Sequence, residues 1–347
     1  MVDELKHAEY GRFHQLSSSK LVHGLTRNTY GTVSPIALLK KSEPGATTYR
    51  KPTNSLKSKL SAYLELVRPH NVIAAVLCVV LGILTASRAL ERPLYALEIV
   101  IASAVVAFVS AGGYVINDYF DYKVDLVNKP YRPIPSGRVS PKEVFYFSLV
   151  LGFIGISLSI VFGIASFVFV LLNSLLVYSY SAKIKEWGIV GNVVVSFEGG
   201  ASILYGSLVV CAQTGKYEAL ASALVPITIA FTLLLGREIV KTIEDYHADS
   251  VRGVRSLPRT IGLRKSALVA SAILFTVPAL SILPLFSGLY NASIYIPLAT
   301  FTVVIVVASA LKIIKCNNII STAIKVRSAL KIAIMTGILA LLLSLLL

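Results

Sequence analysis

Nine apolar stretches, each about 20 residues long and so able to cross the hydrocarbon core of a bilayer as a helix, occupy most of the chain beyond residue 70. They fall at 71–90, 95–116, 143–162, 164–181, 189–211, 219–239, 266–286, 290–311 and 327–347. The connections between them alternate in charge. The side that holds residues 1–70 also receives the connections near 117–142, 182–188, 237–265 and 312–331, and together these carry 30 of the 33 Lys and Arg residues. Only Arg88, Arg92 and Lys216 fall opposite. Because cationic connections stay on the cytoplasmic side, the sequence predicts a cytoplasmic N-terminus and an outward C-terminus. The expected fold is an all-α membrane protein, multi-pass in the cell membrane, with nine transmembrane helices around a central cavity.

The composition supports the same class. Charged residues make up 15% of the chain, against about a quarter in soluble domains, and the mean hydropathy is +0.73. A net charge of +15 in a soluble protein would suggest nucleic acid. Here the cations follow topology, so no nucleic-acid partner is expected, and no obligate protein partner is evident. Cys78, Cys211 and Cys316 lie in or beside apolar runs without metal-ligand or redox spacing, and read as small buried hydrophobes. Residues 1–60 are basic, rich in Ser and Thr and free of long apolar runs. They predict a flexible leader ahead of a membrane domain at 61–347, with Leu60–Arg68 as an amphipathic approach helix.

Two connections on the cationic side are also rich in acids. The first, "VINDYFDYKVDLVNKPYRPIPSG" at 115–137, sets Asn117, Asp121 and Asp125 at i, i+4 and i+8, one stripe of a helix, with Asp118 three residues before Asp121. The second, "GREIVKTIEDYHADSVRGVRSLPRTIG" at 236–262, sets Glu238, Asp245 and Asp249 at i, i+7 and i+11, with Lys241 on the same side. Both continue into a loop with arginine and proline, which suggests two facing halves around one site.

Carboxylates at helix spacing repel one another, and ionisable groups near a membrane are costly. Asp and Asn oxygens suit Mg2+, which keeps waters and bridges carboxylates to phosphates. The interleaved cations Lys123, Lys129, Arg132, Arg138, Lys183, Lys241, Arg252 and Arg255 suit phosphate oxygens. Acids, metal and cations together describe a diphosphate site, though not one of the Walker type, since no GxxxxGK[ST] occurs. Two other readings stay open: a solvated loop whose acids balance the lysines, and a cation pathway. The span interiors lack acids apart from Glu198, which weighs against a pathway. Glu198 itself reads either as a paired interior carboxylate or as a cavity wall.

"NDYFDYKVD" with "RPIPSG" and "IEDYHAD" resembles the UbiA superfamily of intramembrane prenyltransferases over about residues 62–347. Within it, the runs look most like the archaeal digeranylgeranylglyceryl phosphate synthases. The second motif departs from that group's usual form at Thr242 and at His247–Ala248.

The resemblance implies nine helices, two Asp-rich motifs opening toward the cytoplasm, and an Mg2+-dependent transfer of a geranylgeranyl group to geranylgeranylglyceryl phosphate. It implies Asn117, Asp118, Asp121 and Asp125 as ligands of one Mg2+ and Asp245 and Asp249 of a second. Asp121, Asp125, Asp245 and Asp249 would carry catalysis. Lys129, Arg132, Lys183, Lys241 and Arg255 would contact the substrates, with Asn71 at the mouth of the first span, where a helix-entry cap is the alternative. Tyr178 and Ser181 would stand near Lys183. The implied partners are a prenyl diphosphate donor, a lipid-like phosphate-bearing acceptor and membrane lipids. The surplus cations Arg237, Arg252, Arg255 and Arg259 favour a phosphate-bearing acceptor over an aromatic or tetrapyrrole one; contact with anionic headgroups is the other use for them.

Overall fold

The computed structural model describes residues 56–347. The expected leader at 1–60 therefore lies outside the described residues except for 56–60, which open the first helix. That helix, α1, spans Leu56–Val67 and starts earlier than the expected Leu60. Its Ala62 and Leu66 are buried with Val115 and Val144, while Leu60 and Leu64 face outward. Lys59 bonds Glu143 at 3.1 Å and Glu65 accepts from Arg138 at 2.7 Å, so α1 is tied beside the first acidic motif.

Among the described residues, nine helices are long and apolar enough to cross a membrane, and there is no strand. In chain order the first six are α2 (Pro69–Ala89), α3 (Ala96–Asn128), α4 (Pro141–Ser159), α5 (Ile164–Ala182), α6 (Ile189–Thr214) and α7 (Leu224–Glu244). Two short helices, α8 (Tyr246–Arg252) and α9 (Leu257–Ile261), precede α10 (Leu263–Leu280) and the single turn α11 (Leu283–Phe286). The last two spans are α12 (Ala292–Lys315) and α13 (Ile319–Leu346). The protein is a multi-pass membrane protein.

Two differences from the sequence-based expectation bear on the site. α3 does not stop near residue 116 but continues to Asn128. Its 33 residues give a length of about 50 Å at 1.5 Å per residue, well beyond the roughly 30 Å of hydrocarbon, so the first acidic motif is a helical extension of a span. The second motif, by contrast, is not one continuous stripe. α7 ends at Glu244, Asp245 lies between two helices at φ −79° and ψ 5°, and α8 begins at Tyr246. Glu238 therefore belongs to the span, and Asp249 to a separate short helix.

Small residues set how closely the spans approach. α2 and α6 cross where Gly82 meets Ile203 and Gly206 meets Val79. A Cβ on either glycine would stand 2.0 or 2.1 Å from the opposing carbonyl oxygen, far inside contact distance. Ser207 Oγ donates to the Gly82 carbonyl at 2.9 Å across the same crossing. At the end opposite the acidic motifs, two of the three expected outward cations are internal ties. Arg92 bonds Glu98 at 2.5 Å, and Arg88 Nε donates to the Leu345 carbonyl at 2.9 Å.

Candidate active site

The extension of α3 turns its carboxylates inward. Asp118 is 6% exposed and Asp125 is 2% exposed. Burial of such groups without compensation would be prohibitive, so each is paired. Arg132, in the turn after α3, reaches Asp125 Oδ2 at 2.5 Å and Asp118 Oδ1 at 3.3 Å. Arg68, the residue before α2, closes on the same Asp118 oxygen and lies over the Tyr114 ring, 5.4 Å from its centroid. Asp121 accepts from Lys185 Nζ at 2.7 Å. Asn117 lies half-buried on the same helix.

The loop that carries Arg132 contains "RPIPSG", folded as successive turns that bury Ile134 and Val139 against α1 and α4. Ser140 then starts α4 with a capping box: its hydroxyl accepts from the Glu143 amide at 3.2 Å, and the Glu143 carboxylate accepts from the Ser140 amide at 2.7 Å. A fixed turn at both ends holds the guanidinium on the carboxylates.

The fields of the two motifs overlap at the amine of Lys129. This amine lies in the fields of Asp125 from the first motif and of Asp245 and Lys241 from the second, beside Arg132. Burial pushes its pKa down from the ordinary lysine value, and Arg132 pushes the same way, against the pull of Asp125 and Asp245. For Arg132 burial also works against the charged form, but Asp118 and Asp125 outweigh it and raise its pKa. Deeper in, Tyr180 of α5 lies in the fields of Lys241, Glu238 and Asp121, which joins α5, α7 and α3 around one space. Glu238, 7% exposed, pairs with Arg237 and stands 3.7 Å from Lys241 Nζ.

Asp245 is half-buried at the helix break, and Asp249 is 8% exposed with its backbone carbonyl accepting from Arg259 at 2.8 Å. Arg255 is exposed, and its carbonyl packs on Gly188, whose φ of +61° and lack of a Cβ let the α5–α6 connection touch the α8–α9 connection. Asn71 is the third residue of α2 and half-buried; the capping position is Arg68, so Asn71 does not cap the helix. Lys183 bonds Glu186 at 2.9 Å in an exposed pair. Tyr178 is a tie between spans, bonded to the Ser148 hydroxyl at 2.6 Å, and Ser181 is buried. Glu198 of α6 lies beside Asn173 of α5 and keeps one buried carboxylate oxygen, Oε1, without a hydrogen-bond partner.

Three further residues belong to this site, Arg68, Lys185 and Tyr180. Arg68 lies between α1 and α2 rather than inside the expected approach helix, and its φ of +53° ahead of a proline is a conformation a non-glycine residue rarely keeps without compensating contacts. Lys185 takes the inward place because α5 ends at Ala182 and a tight turn over Ile184–Glu186 reverses which lysine faces Asp121. Tyr180 lies two residues after Tyr178, on a different face of α5. For Arg68 the available signal was its place beside "PHN" at the mouth of a span.

Residues 75–318 match the model of the UbiA prenyltransferase family. The chain belongs to that family. A digeranylgeranylglyceryl phosphate synthase from Hyperthermus butylicus is 39% identical over 290 residues, covering 81% of this chain and 95% of the relative. A solved structure concerning digeranylgeranylglyceryl phosphate synthase in membranes aligns at TM-score 0.67 and 32% identity, covering 83% of this chain and 99% of the other. A UbiA homolog from Archaeoglobus fulgidus, bound to GPP and Mg2+, shares the fold at TM-score 0.52 and 16% identity, over 81% of this chain and 99% of that one.

The donors of the first motif fit a hard divalent cation in kind: three carboxylates and one carboxamide within about two and a half helical turns. As arranged, no three His, Cys, Asp or Glu groups among the described residues converge for a metal. The chain's own cations compensate the acids instead, with Arg68 and Arg132 on Asp118, Arg132 on Asp125 and Lys185 on Asp121.

Proposed function

We propose that this prenyltransferase moves a geranylgeranyl group from geranylgeranyl diphosphate to the free hydroxyl of geranylgeranylglyceryl phosphate, forming the second ether bond of archaeal membrane lipids. The observation that carries the reading is Lys129, whose amine lies in the fields of Asp125 of one acidic motif and of Asp245 of the other. A polyanion bound at that amine would be within reach of both motifs. The names of the relatives supply the donor and acceptor classes. The site opens toward the cytoplasm, as the distribution of Lys and Arg favours.

In this reading Asn117, Asp118, Asp121 and Asp125 hold one Mg2+ and Asp245 and Asp249 a second, in line with the Mg2+ bound to the Archaeoglobus homolog. Bound Mg2+ supplies charge neutralisation at the departing diphosphate. Lys129, Arg132, Lys185 and Lys241 bind the remaining phosphate oxygens through charge-assisted bonds. Arg132, Lys185 and Lys241 now pair with carboxylates of the two motifs, so with Mg2+ held by those carboxylates the same cations would be free to bind the diphosphate. Lys183 and Arg255 serve from the rim, and Asn71 lines the mouth of the first span. The donor's C1–O bond breaks with its electron pair leaving on the diphosphate. The acceptor hydroxyl forms the new C–O bond and loses its proton to diphosphate or water. The isoprenoid chains stay among the apolar spans, which avoids the cost of exposing them to water, about 0.8 kcal/mol per methylene.

The test is purified protein with labelled geranylgeranyl diphosphate and a panel of acceptors. Product with geranylgeranylglyceryl phosphate alone supports the reading. Product with only an aromatic acid or a tetrapyrrole replaces the acceptor, and failure to release diphosphate with every acceptor removes the enzyme reading.

A further inference from the structure

We propose that Arg237 of α7 and Lys331 of α13 form a second anion subsite, which holds the phosphomonoester of the acceptor apart from the donor's diphosphate. The proposal rests on the functional reading above and deepens it. α7 runs toward the acidic-motif end and α13 runs away from it, and the pair is pinned where Arg327 Nε meets Glu244 Oε2 at 2.9 Å. Lys331 stands one helical turn further along α13, about 6 Å deeper, and Arg237 stands two turns back along α7, about 10 Å deeper. The two helices pack through Ile239, Val240 and Ile243 against Val326 and Leu330, so these depths are comparable across the contact. Lys331 lies in the fields of Arg237, Arg327 and Arg68 as well as Glu244.

The partners of these cations are unequal. Arg327 is ion-paired with Glu244, although neither its Nε nor the facing Glu244 Oε2 has a hydrogen-bond partner, and Arg68 has Asp118. Arg237 pairs with Glu238 through Nη1, but its Nε is buried with no hydrogen-bond partner. Lys331 has no hydrogen bond or ion pair among the described residues. Around this wall the carboxylates Asp118, Glu238 and Glu244 are paired with Arg68, Arg132, Arg237, Lys241 and Arg327, and Lys331 adds a sixth cation. Like charges gathered below a membrane surface are unfavourable. A bound anion relieves them, and the one left over from the donor is the acceptor's phosphate.

Position argues the same assignment. Of the diphosphate cations, Lys129, Arg132 and Lys185 come from the α3 turn and the α5–α6 connection, and Lys241 comes from the last turn of α7, one turn nearer the acidic-motif end than Arg237. Arg237 and Lys331 come from the other side, with Tyr114 between them and the first motif: its ring lies against Arg68 and in the fields of Arg237 and Glu238. A phosphate held there, on a short polyol, leaves the hydroxyl free to turn toward the donor carbon and the ether-linked chain to follow the spans.

The experiment uses the full chain in liposomes with two acceptors, geranylgeranylglyceryl phosphate and its dephosphorylated alcohol, and measures KM for each substrate. Loss of one charge-assisted contact is expected to reduce the preference for the phosphorylated acceptor, as a kcat/KM ratio, by about tenfold or more in Lys331→Gln. Lys331→Arg should retain the preference, and the donor KM in Lys331→Gln should stay within about twofold of wild type. Arg237→Lys, which keeps the charge beside Glu238 but loses the planar fork, should lower the same ratio. An unchanged ratio in Lys331→Gln, or a donor KM that rises in step with the acceptor KM, would overturn the subsite while the functional reading stands. A wild-type protein inert toward the phosphorylated acceptor removes both.

Discussion

The two acidic motifs reach the same place by different constructions. The first is a rigid overhang: α3 continues unbroken to Asn128, and Asp118, Asp121 and Asp125 each have a cation from elsewhere in the chain. The second is jointed: the helix stops at Glu244, Asp245 sits half-buried in the break, and Asp249 rides on a seven-residue helix. The Asp245 backbone amide donates to Lys241 and its carbonyl accepts from Asp249, but the Asp245 carboxylate has no hydrogen-bonded or ionic partner among the described residues. The carboxylates of the first half are all paired, whereas that of Asp245 in the second is not. The lesson is that a repeated pattern of acids need not mean a repeated structure. A fixed half can set the position of the leaving group while a jointed half closes on it.

That contrast can be broken by substitution. Asp121→Ala and Asp245→Ala should each abolish turnover, by about a thousandfold or more if each removes electrostatic stabilisation of the leaving group, while detergent-solubilised protein keeps its helical circular dichroism. Near-normal product formation in either variant would remove that half from the site. Arg132→Ala strips the shared partner from two buried carboxylates and should cost about 3–5 kcal/mol of stability, measured by thermal unfolding. Asp245→Ala should leave the unfolding midpoint close to wild type, because no ion pair is lost.

A smaller effect distinguishes the two lysines after α5. Lys185→Ala should weaken donor binding about tenfold, the loss of a charge-assisted contact, whereas Lys183→Ala, whose amine is on exposed Glu186, should change it by less than about twofold. The smallest effect is a shift on the pH axis. Lys129 is held below the ordinary lysine pKa, first by burial and then by Arg132. Its amine therefore loses its proton, and with it donor affinity, at lower pH than a free lysine would. Lys129→Arg stays charged and should move the alkaline limb of the pH profile upward. An unmoved limb would show that another group sets it.

The spans were legible because burial in lipid demands length and apolarity, and nothing local overrides that. Even Pro278 and Pro297, inside α10 and α12, leave those helices intact. The acids were legible as a cluster for the converse reason, since charge at a span end is costly unless used. The partners were harder to read. Whether Lys183 or Lys185 turns inward depends on where α5 ends and on one tight turn, which periodicity does not encode. Arg68 reaches Asp118 through a left-handed backbone and a separation of fifty residues. The break at Asp245 follows a sequence, "IEDYHAD", with no glycine or proline to announce it.

Isothermal titration of an unreactive thiolo analogue of geranylgeranyl diphosphate, with and without Mg2+, probes the shared grip most directly. Wild-type protein should bind it only with the metal, and both Asp121→Ala and Asp245→Ala should lose that binding. Wild-type affinity retained in either variant would mean that the two motifs do not close on one ligand.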